Sequence, residues 1–215
     1  MRPPDTPKEE EVQGVHVHRT SCFKELYHKS GRRKIGLAIR FALALLQRLN
    51  NGKDPVDIVD CSAFPYIQCY SAKKFAAKIK APLIITIHEV WGTYWYEYLR
   101  NPVVAWVGRN IERRVVQWAD LIVAVSRWTA SAIQREFRVD SEKIRIVPNG
   151  IDTQLFSASL VEKVPYKILY VGRLVHYKHV NWLIEAMKQV VPKFPEAYLH
   201  IVGDGPLRGD LETLT

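Results

Sequence analysis

Apolar residues along this chain gather into short runs, with stretches of helical spacing between them. Leu83–His88 reads L-I-I-T-I-H, Leu121–Ser126 reads L-I-V-A-V-S, Ile168–Gly172 reads I-L-Y-V-G and Leu199–Gly203 reads L-H-I-V-G. Shorter runs lie at Val56–Asp60 and Ile144–Val147. Most are near-continuous rather than alternating, the pattern of strands covered on both faces. Between them, amphipathic spacing predicts helices over Ile35–Leu49, Tyr66–Lys80, Val103–Trp118, Trp128–Phe137 and His179–Val191. Strands alternating with helices predict parallel, doubly wound sheets, and so an α/β chain. The Asn149-Gly150 turn and the polar stretch from Thr153 to Pro165 interrupt the alternation, which divides the chain into two α/β units, 1–157 and 158–215.

Charge adds a direction to this picture. The net charge is +9, and it is concentrated: 24 basic and 16 acidic residues lie up to Ser157, against 7 and 6 from Ala158 onward. From Leu26 to Lys53 there is no acid, but Lys29, Arg32, Arg33, Lys34, Arg40, Arg48 and Lys53 are present. Such a field favours an anionic partner: nucleic acid, anionic lipid or a phosphorylated substrate. With 215 residues, 47% hydrophobic and 25% charged, the chain is neither disordered nor fibrous as a whole. Its three cysteines, Cys22, Cys61 and Cys69, match no metal or redox spacing, which points to a reducing compartment. No apolar run is long enough to span a bilayer, and the polar, acidic Met1–Glu11 is no signal peptide. The expected location is cytoplasmic, including the inner face of a membrane.

Ligands of open α/β sheets bind at the carboxyl ends of the strands. Here His88-Glu89 follows one strand, Ser126 another and Asn149-Gly150 a third, while Gly172-Arg173 with Lys178 and Gly203-Asp204-Gly205 follow the last two. Gly172 gives an anion access to backbone N–H groups, and Arg173 and Lys178 at the opening of a helix running on through Leu183 and Met187 form a candidate diphosphate clamp. A surface arginine and lysine beside a turn glycine is the plainer alternative. A lone histidine such as His88 is ordinarily a satisfied core residue, and Asp-Gly pairs are mostly turns, so position at the strand ends is what raises both.

In combination the motifs resemble a known family. Ile146-Val147-Pro148-Asn149-Gly150-Ile151-Asp152, Leu169-Tyr170-Val171-Gly172-Arg173-Leu174 with Lys178, Leu183-Ile184-Glu185-Ala186 and Ile201-Val202-Gly203-Asp204-Gly205-Pro206 resemble the retaining glycosyltransferases of the GT-B fold, glycosyltransferase family four, also called group one. Upstream, Thr86-Ile87-His88-Glu89 and Ala119 to Ser126 are similar to the acceptor-domain strands of that family. The resemblance implies two Rossmann-like units, acceptor-side then nucleotide-sugar-binding, and transfer of a sugar from a nucleotide-sugar to a lipid or saccharide acceptor with retention. It implies that Gly172, Arg173 and Lys178 bind the donor diphosphate, with Gly203, Asp204 and Gly205 near the nucleotide. It makes His88 the catalytic candidate, beside the transferred sugar or acceptor, with Glu89, Ser126, Asn149 and Gly150 lining the cleft. No Asp-x-Asp pair occurs, in keeping with the family's metal-free mechanism, and no cofactor is expected. The family's opening strand with its Gly-rich loop is not found before Val15, and its Glu-x7-Glu motif is not reached by Thr215, so both units are expected to be incomplete and the chain an internal fragment. His179 stands where the family usually has a glycine.

Two other readings compete. One is a basic nucleic-acid-binding module using aromatics such as Trp91, Tyr94, Trp95 and Tyr96 as stacking platforms; no nucleic-acid motif accompanies them, and nucleic acid is not the expected partner. The other is a GT-B sugar-nucleotide epimerase, against which the Asn-Gly-Ile-Asp and Arg…Lys pattern favours transfer. The predicted helix Tyr66–Lys80 carries Lys73, Lys74, Lys78 and Lys80 with no acid, beside Ile67, Tyr70, Phe75 and Ile79. It reads either as a solvated lysine face or as a contact for an anionic membrane surface, to which Trp91, Trp95 and Trp106 would add anchoring.

Overall fold

The computed structural model describes residues 6–20, 35–52, 55–99, 101–157 and 162–215. Cys22, Lys29, Arg32, Arg33, Lys34, Lys53 and the expected unit boundary at Ala158 lie outside the described residues. The described residues form two compact units that divide between Gly150 and Ile151.

The first unit opens with an antiparallel hairpin of β1 (Glu9–Val12) and β2 (Val15–His18). Its two-residue link, Gln13-Gly14, has φ of 52° and 80°, and positive φ at both positions is the turn that matches the twist of a hairpin. The sequence reading passed over this hairpin because its residues are largely acidic and polar. Helix α1 (Ile35–Asn51) follows, then β3 (Val59–Ser62), α2 (Gln68–Ile79), β4 (Leu83–Ile87), α3 (Tyr94–Tyr98), α4 (Pro102–Trp118), β5 (Leu121–Ala124), α5 (Arg127–Phe137) and β6 (Ile144–Ile146). Strands β3 to β6 form a parallel four-stranded sheet in chain order. The strand expected at Val56–Asp60 begins later because pairing with β4 starts at Val59 opposite Leu83, leaving Val56 and Ile58 exposed.

Burial along β4 alternates. Leu83, Ile85 and Ile87 are buried and join Val115, Val116, Ile122 and Ile133 in one core, while Ile84 and Thr86 are half-buried. Helix α2 packs on α1, where the buried Ser71 hydroxyl donates to the Ala42 carbonyl at 2.7 Å. Helix α5 is capped by Ser126, whose Oγ accepts from the Thr129 amide at 3.0 Å. Cys61 on β3 and Cys69 on α2 are buried free thiols with sulfurs 3.6 Å apart, a proximity their spacing did not suggest.

The second unit contains β7 (Lys167–Val171), α6 (Val180–Val190), β8 (Tyr198–Val202) and α7 (Arg208–Leu214). The two strands pair in parallel, Lys167 opposite Tyr198 through Val171 opposite Val202. Leu174, Val180, Ile184 and Leu211 form its core against Tyr170, Leu199, Ile201 and Leu207. The alternate strand residues Leu169, Val171, Tyr198 and Val202 are exposed, so among the described residues this sheet is covered on one face, not both.

Candidate functional site

In the first unit the parallel register brings three strand ends to one edge. Ile87 lies opposite Ala124, which lies opposite Ile146; the Val125 amide reaches the Ile87 carbonyl at 3.4 Å, and the Val147 amide the Ala124 carbonyl at 3.0 Å. His88 therefore leaves the sheet beside Val125-Ser126, with Pro148-Asn149-Gly150 leaving beside them in turn. His88 and Glu89 are exposed, as are Asn149 and Gly150. His88 is thus not the satisfied core histidine of the plainer reading. Ser126 is occupied as the cap of α5 and also lies 2.9 Å from the Thr129 hydroxyl.

The loop carrying His88 and Glu89 is held by a residue the sequence reading missed. Glu112 on α4 is 1% exposed, and four donors converge on its carboxylate. Tyr66 Oη donates to Oε1 at 2.7 Å and the Trp91 amide to the same oxygen at 2.8 Å, while the Gly92 amide and Trp95 Nε1 donate to Oε2 at 3.0 and 2.7 Å. Burial raises the Glu112 pKa, opposed by the hydrogen bonds from Trp91, Tyr66, Trp95 and Gly92. Burial, and then the Glu112 charge, push the Tyr66 phenol well above its usual range, so it stays a donor. The signal for Glu112 was available: an acid sharing the apolar stripe of α4 with Ala105, Val115 and Val116. Around it Trp91 stacks on Phe64 at 5.1 Å between ring centroids and lies 4.7 Å from Trp95.

In the second unit the two predicted loops lie side by side. The Gly172 amide donates to Val202 at 3.0 Å, the Leu174 amide to Asp204 at 3.0 Å and the Leu207 amide to Leu174 at 3.2 Å. Gly172, Arg173, Gly203, Asp204 and Gly205 are therefore together. Glycine at 203 is required by this approach: a Cβ there would lie 1.9 Å from the Gly172 carbonyl oxygen, and one at Gly205 2.3 Å from that of Leu174. Gly203→Ala is expected to force the loops apart and destabilise this unit by about 3 kcal/mol, read by denaturant unfolding. An unchanged unfolding midpoint would show that the loops do not meet this way.

Arg173 and Lys178 flank a common neighbour, Tyr177, which the sequence reading did not single out. The Arg173 guanidinium donates to the Tyr177 hydroxyl and its carbon lies 5.9 Å from the ring centroid; Lys178 Nζ lies 5.6 Å from the same centroid. The expected continuous helix opening is corrected here. Val175 is extended, His176–Lys178 form a single 3-10 turn, and α6 starts only at Val180 after His179 in the left-handed region at φ 49°. That conformation favours glycine, which accounts physically for the residue usual at this position. Histidine holds it while stacked on Trp182, ring centroids 4.1 Å apart.

Beside the lysines of α2, Tyr70 is the one exposed residue of the four apolar ones expected there. Phe75 is buried, Ile67 and Ile79 are half-buried, and Tyr70 meets Trp118 edge-on at 4.6 Å. Lys73 donates to the Trp118 carbonyl at 3.5 Å, while Lys74, Lys78 and Lys80 are exposed.

Residues 1–155 match the family described as Glycosyltransferase Family 4, and residues 152–215 the family Glycosyl transferases group 1. The chain is 24% identical over 219 residues to the sulfoquinovosyl transferase SQD2 of Arabidopsis thaliana, covering 95% of this chain and 40% of that protein. It is 26% identical over 152 residues to the UDP-Gal:alpha-D-GlcNAc-diphosphoundecaprenol alpha-1,3-galactosyltransferase of Escherichia coli, covering 65% of this chain and 39% of that one. Among solved structures it is similar to Anabaena HepE in complex with UDP and glucose, with a TM-score of 0.56 at 16% identity, covering 84% of this chain and 48% of that one. The α/β fold with parallel sheets is that of the GT-B glycosyltransferases. The chain spans about two fifths of the length of these curated relatives.

Proposed function

This chain belongs to Glycosyltransferase Family 4, and from that premise we propose that the protein carrying it transfers a sugar from a nucleotide-sugar to a lipid or saccharide acceptor with retention. The observation that carries the reading is the loop pair after β7 and β8, where backbone contacts bring Gly172-Arg173 against Gly203-Asp204-Gly205 and both Arg173 and Lys178 lie near the Tyr177 ring. Arg173 and Lys178 take the donor diphosphate and stabilise the charge that grows on it as the glycosidic bond breaks. The Gly172 amide is taken by the Val202 carbonyl, so Gly172 serves the donor site by letting the two loops approach closely, and the Gly203–Gly205 loop meets the nucleotide. His88 positions the sugar or the acceptor from the strand end of the first unit; Glu89, Asn149 and Gly150 are exposed at the same edge. Ser126 contributes there through the α5 cap. The roles need no metal: the leaving charge is met by the two fixed cations, and the chain has no Asp-x-Asp pair.

Support for the donor class comes from a neighbour of the same fold crystallised with UDP and glucose, and for a lipid-linked acceptor from a relative named for a diphosphoundecaprenol substrate. The proposed location is cytoplasmic, at or near the inner face of a membrane, following the cysteine pattern and the basic charge. Among the described residues, no helix is long and apolar enough to cross a membrane. For an anionic-surface role of Lys73, Lys74, Lys78 and Lys80, α2 supplies charge but little apolar surface.

The test is incubation of the intact protein with UDP-, GDP- and ADP-sugars, following nucleoside diphosphate release and the anomeric configuration of the product by NMR. Release with retained configuration is expected. Inversion would remove the retaining assignment, and thermal protection by nucleic acid but by no nucleoside diphosphate would overturn the whole reading.

A further inference from the structure

The turn that carries Lys178 hangs between two buried anchors, Leu174 and Val180, 4% and 1% exposed. Between them His176, Tyr177, Lys178 and His179 are exposed. Two backbone bonds close the turn: the Lys178 amide donates to the Val175 carbonyl at 3.0 Å and the His179 amide to the His176 carbonyl at 3.1 Å. Its last residue, His179, turns the chain into α6 at φ 49° and ψ 39°. For a histidine that conformation is strained, and such strain persists only where the surroundings hold it. What holds it is Trp182, in the first turn of α6. The indole lies on the imidazole with ring centroids 4.1 Å apart and planes 19° from parallel, and the Trp182 amide donates to the His179 carbonyl at 3.0 Å. Trp182 is 65% exposed, so filling the core is not what it contributes.

We propose that the His179–Trp182 stack is a positioning device for the donor site, holding the turn His176–Lys178 in its binding conformation before the nucleotide-sugar arrives; this rests on the donor reading above. Tyr177 and Lys178 sit on that turn, and the Tyr177 hydroxyl accepts from the Arg173 guanidinium, so fixing the turn fixes both cations together. Two flat rings in contact have few ways to move, whereas a glycine at 179 would accept the same backbone along with many others. The gain is preorganisation: a turn ordered in advance costs the donor nothing to order on binding. Both residues act through the turn, not by touching the donor.

The experiment reads ligand-free hydrogen–deuterium exchange and steady-state transfer kinetics in the intact protein and four variants. Trp182→Ala is expected to speed exchange of the Lys178 and His179 amides about tenfold. It should raise donor KM about fivefold with kcat nearly unchanged, because a turn ordered only on binding weakens the apparent affinity. A merely structural role would instead leave less folded enzyme, with kcat lower and KM the same. The unfolding temperature should stay near the parent's, since the indole is exposed and alanine suits a helix. Trp182→Phe should recover most of both effects. His179→Gly should match Trp182→Ala, and the two combined should lose no more than His179→Gly alone, as coupled partners do. The proposal is overturned if exchange in the turn is unchanged in Trp182→Ala, if Trp182→Phe fares no better than Trp182→Ala, or if the double variant loses the product of the single losses. An active parent whose donor KM is unaltered in Trp182→Ala overturns this proposal alone. A parent that transfers from no nucleotide-sugar overturns the donor reading, and the proposal with it, even where exchange in the turn responds.

Discussion

Glu112→Ala is expected to destabilise the first unit by about 4 kcal/mol, the range for removing the buried acceptor of a hydrogen-bonded cluster. Four donors, the Tyr66 hydroxyl, the Trp91 and Gly92 amides and the Trp95 indole, would lose their common partner while still enclosed by Phe64 and the core. Glu112→Gln keeps the volume but has one acceptor oxygen, so it should cost about half as much. The two proteins should also differ in pH dependence, with a sign that follows from burial. The folded-state pKa of Glu112 is raised above its unfolded value, so the folded protein binds more proton between the two. The stability from this group is present below the ordinary glutamate range and is lost as pH rises through the raised value. The parent's advantage over the Gln variant should therefore be largest in acid and shrink with rising pH. Urea unfolding of both proteins across that range checks it, and an advantage that grows with pH would contradict the burial argument.

Arg173→Ala is expected to slow sugar transfer on the order of a hundredfold, about 3 kcal/mol of stabilisation withdrawn from the departing diphosphate. Arg173→Lys should recover only part, since an ammonium keeps the charge but not the planar fork. Tyr177→Phe retains the ring near both Arg173 and Lys178 and removes only the hydroxyl that accepts from Arg173. Its effect should be several-fold smaller, and it distinguishes a clamp made by the cations from one that depends on the tyrosine hydroxyl. Steady-state kinetics with varied donor measure all three, and full activity of Arg173→Ala would remove the residue from the donor site.

What was legible in the sequence depended on how local its cause is. Strands β4, β5, β7 and β8 fall within about a residue or two of the apolar runs because the chain either side is polar or turn-forming, as at Pro82 and Asp120 before β4 and β5. The order of Gly172-Arg173, Lys178 and Gly203–Gly205 was readable too, since loops that follow parallel strands must share one end of the sheet. The hairpin at Glu9–His18 was missed for want of an apolar face; Gln13-Gly14 was its one local sign. Contacts that depend on pairing across many residues could not be read: the collision that forbids a side chain at Gly203 exists only once β8 lies beside β7. The same holds for Glu112, whose donors come from three separate segments, and for the inward turn of Phe75 on α2. His179 was readable as a departure, but its left-handed backbone is set by the turn it closes in the folded chain.

The donor site on the β7 and β8 loops is tested most directly by hydrogen–deuterium exchange of the intact protein with and without UDP, GDP and ADP. At least one diphosphate should slow exchange in the peptides that span Gly172 to Lys178 and Gly203 to Gly205, and Arg173→Ala should abolish that protection while leaving exchange in β4 and β5 unchanged. Protection confined to the first unit, or equal protection in the Arg173→Ala protein, would contradict it.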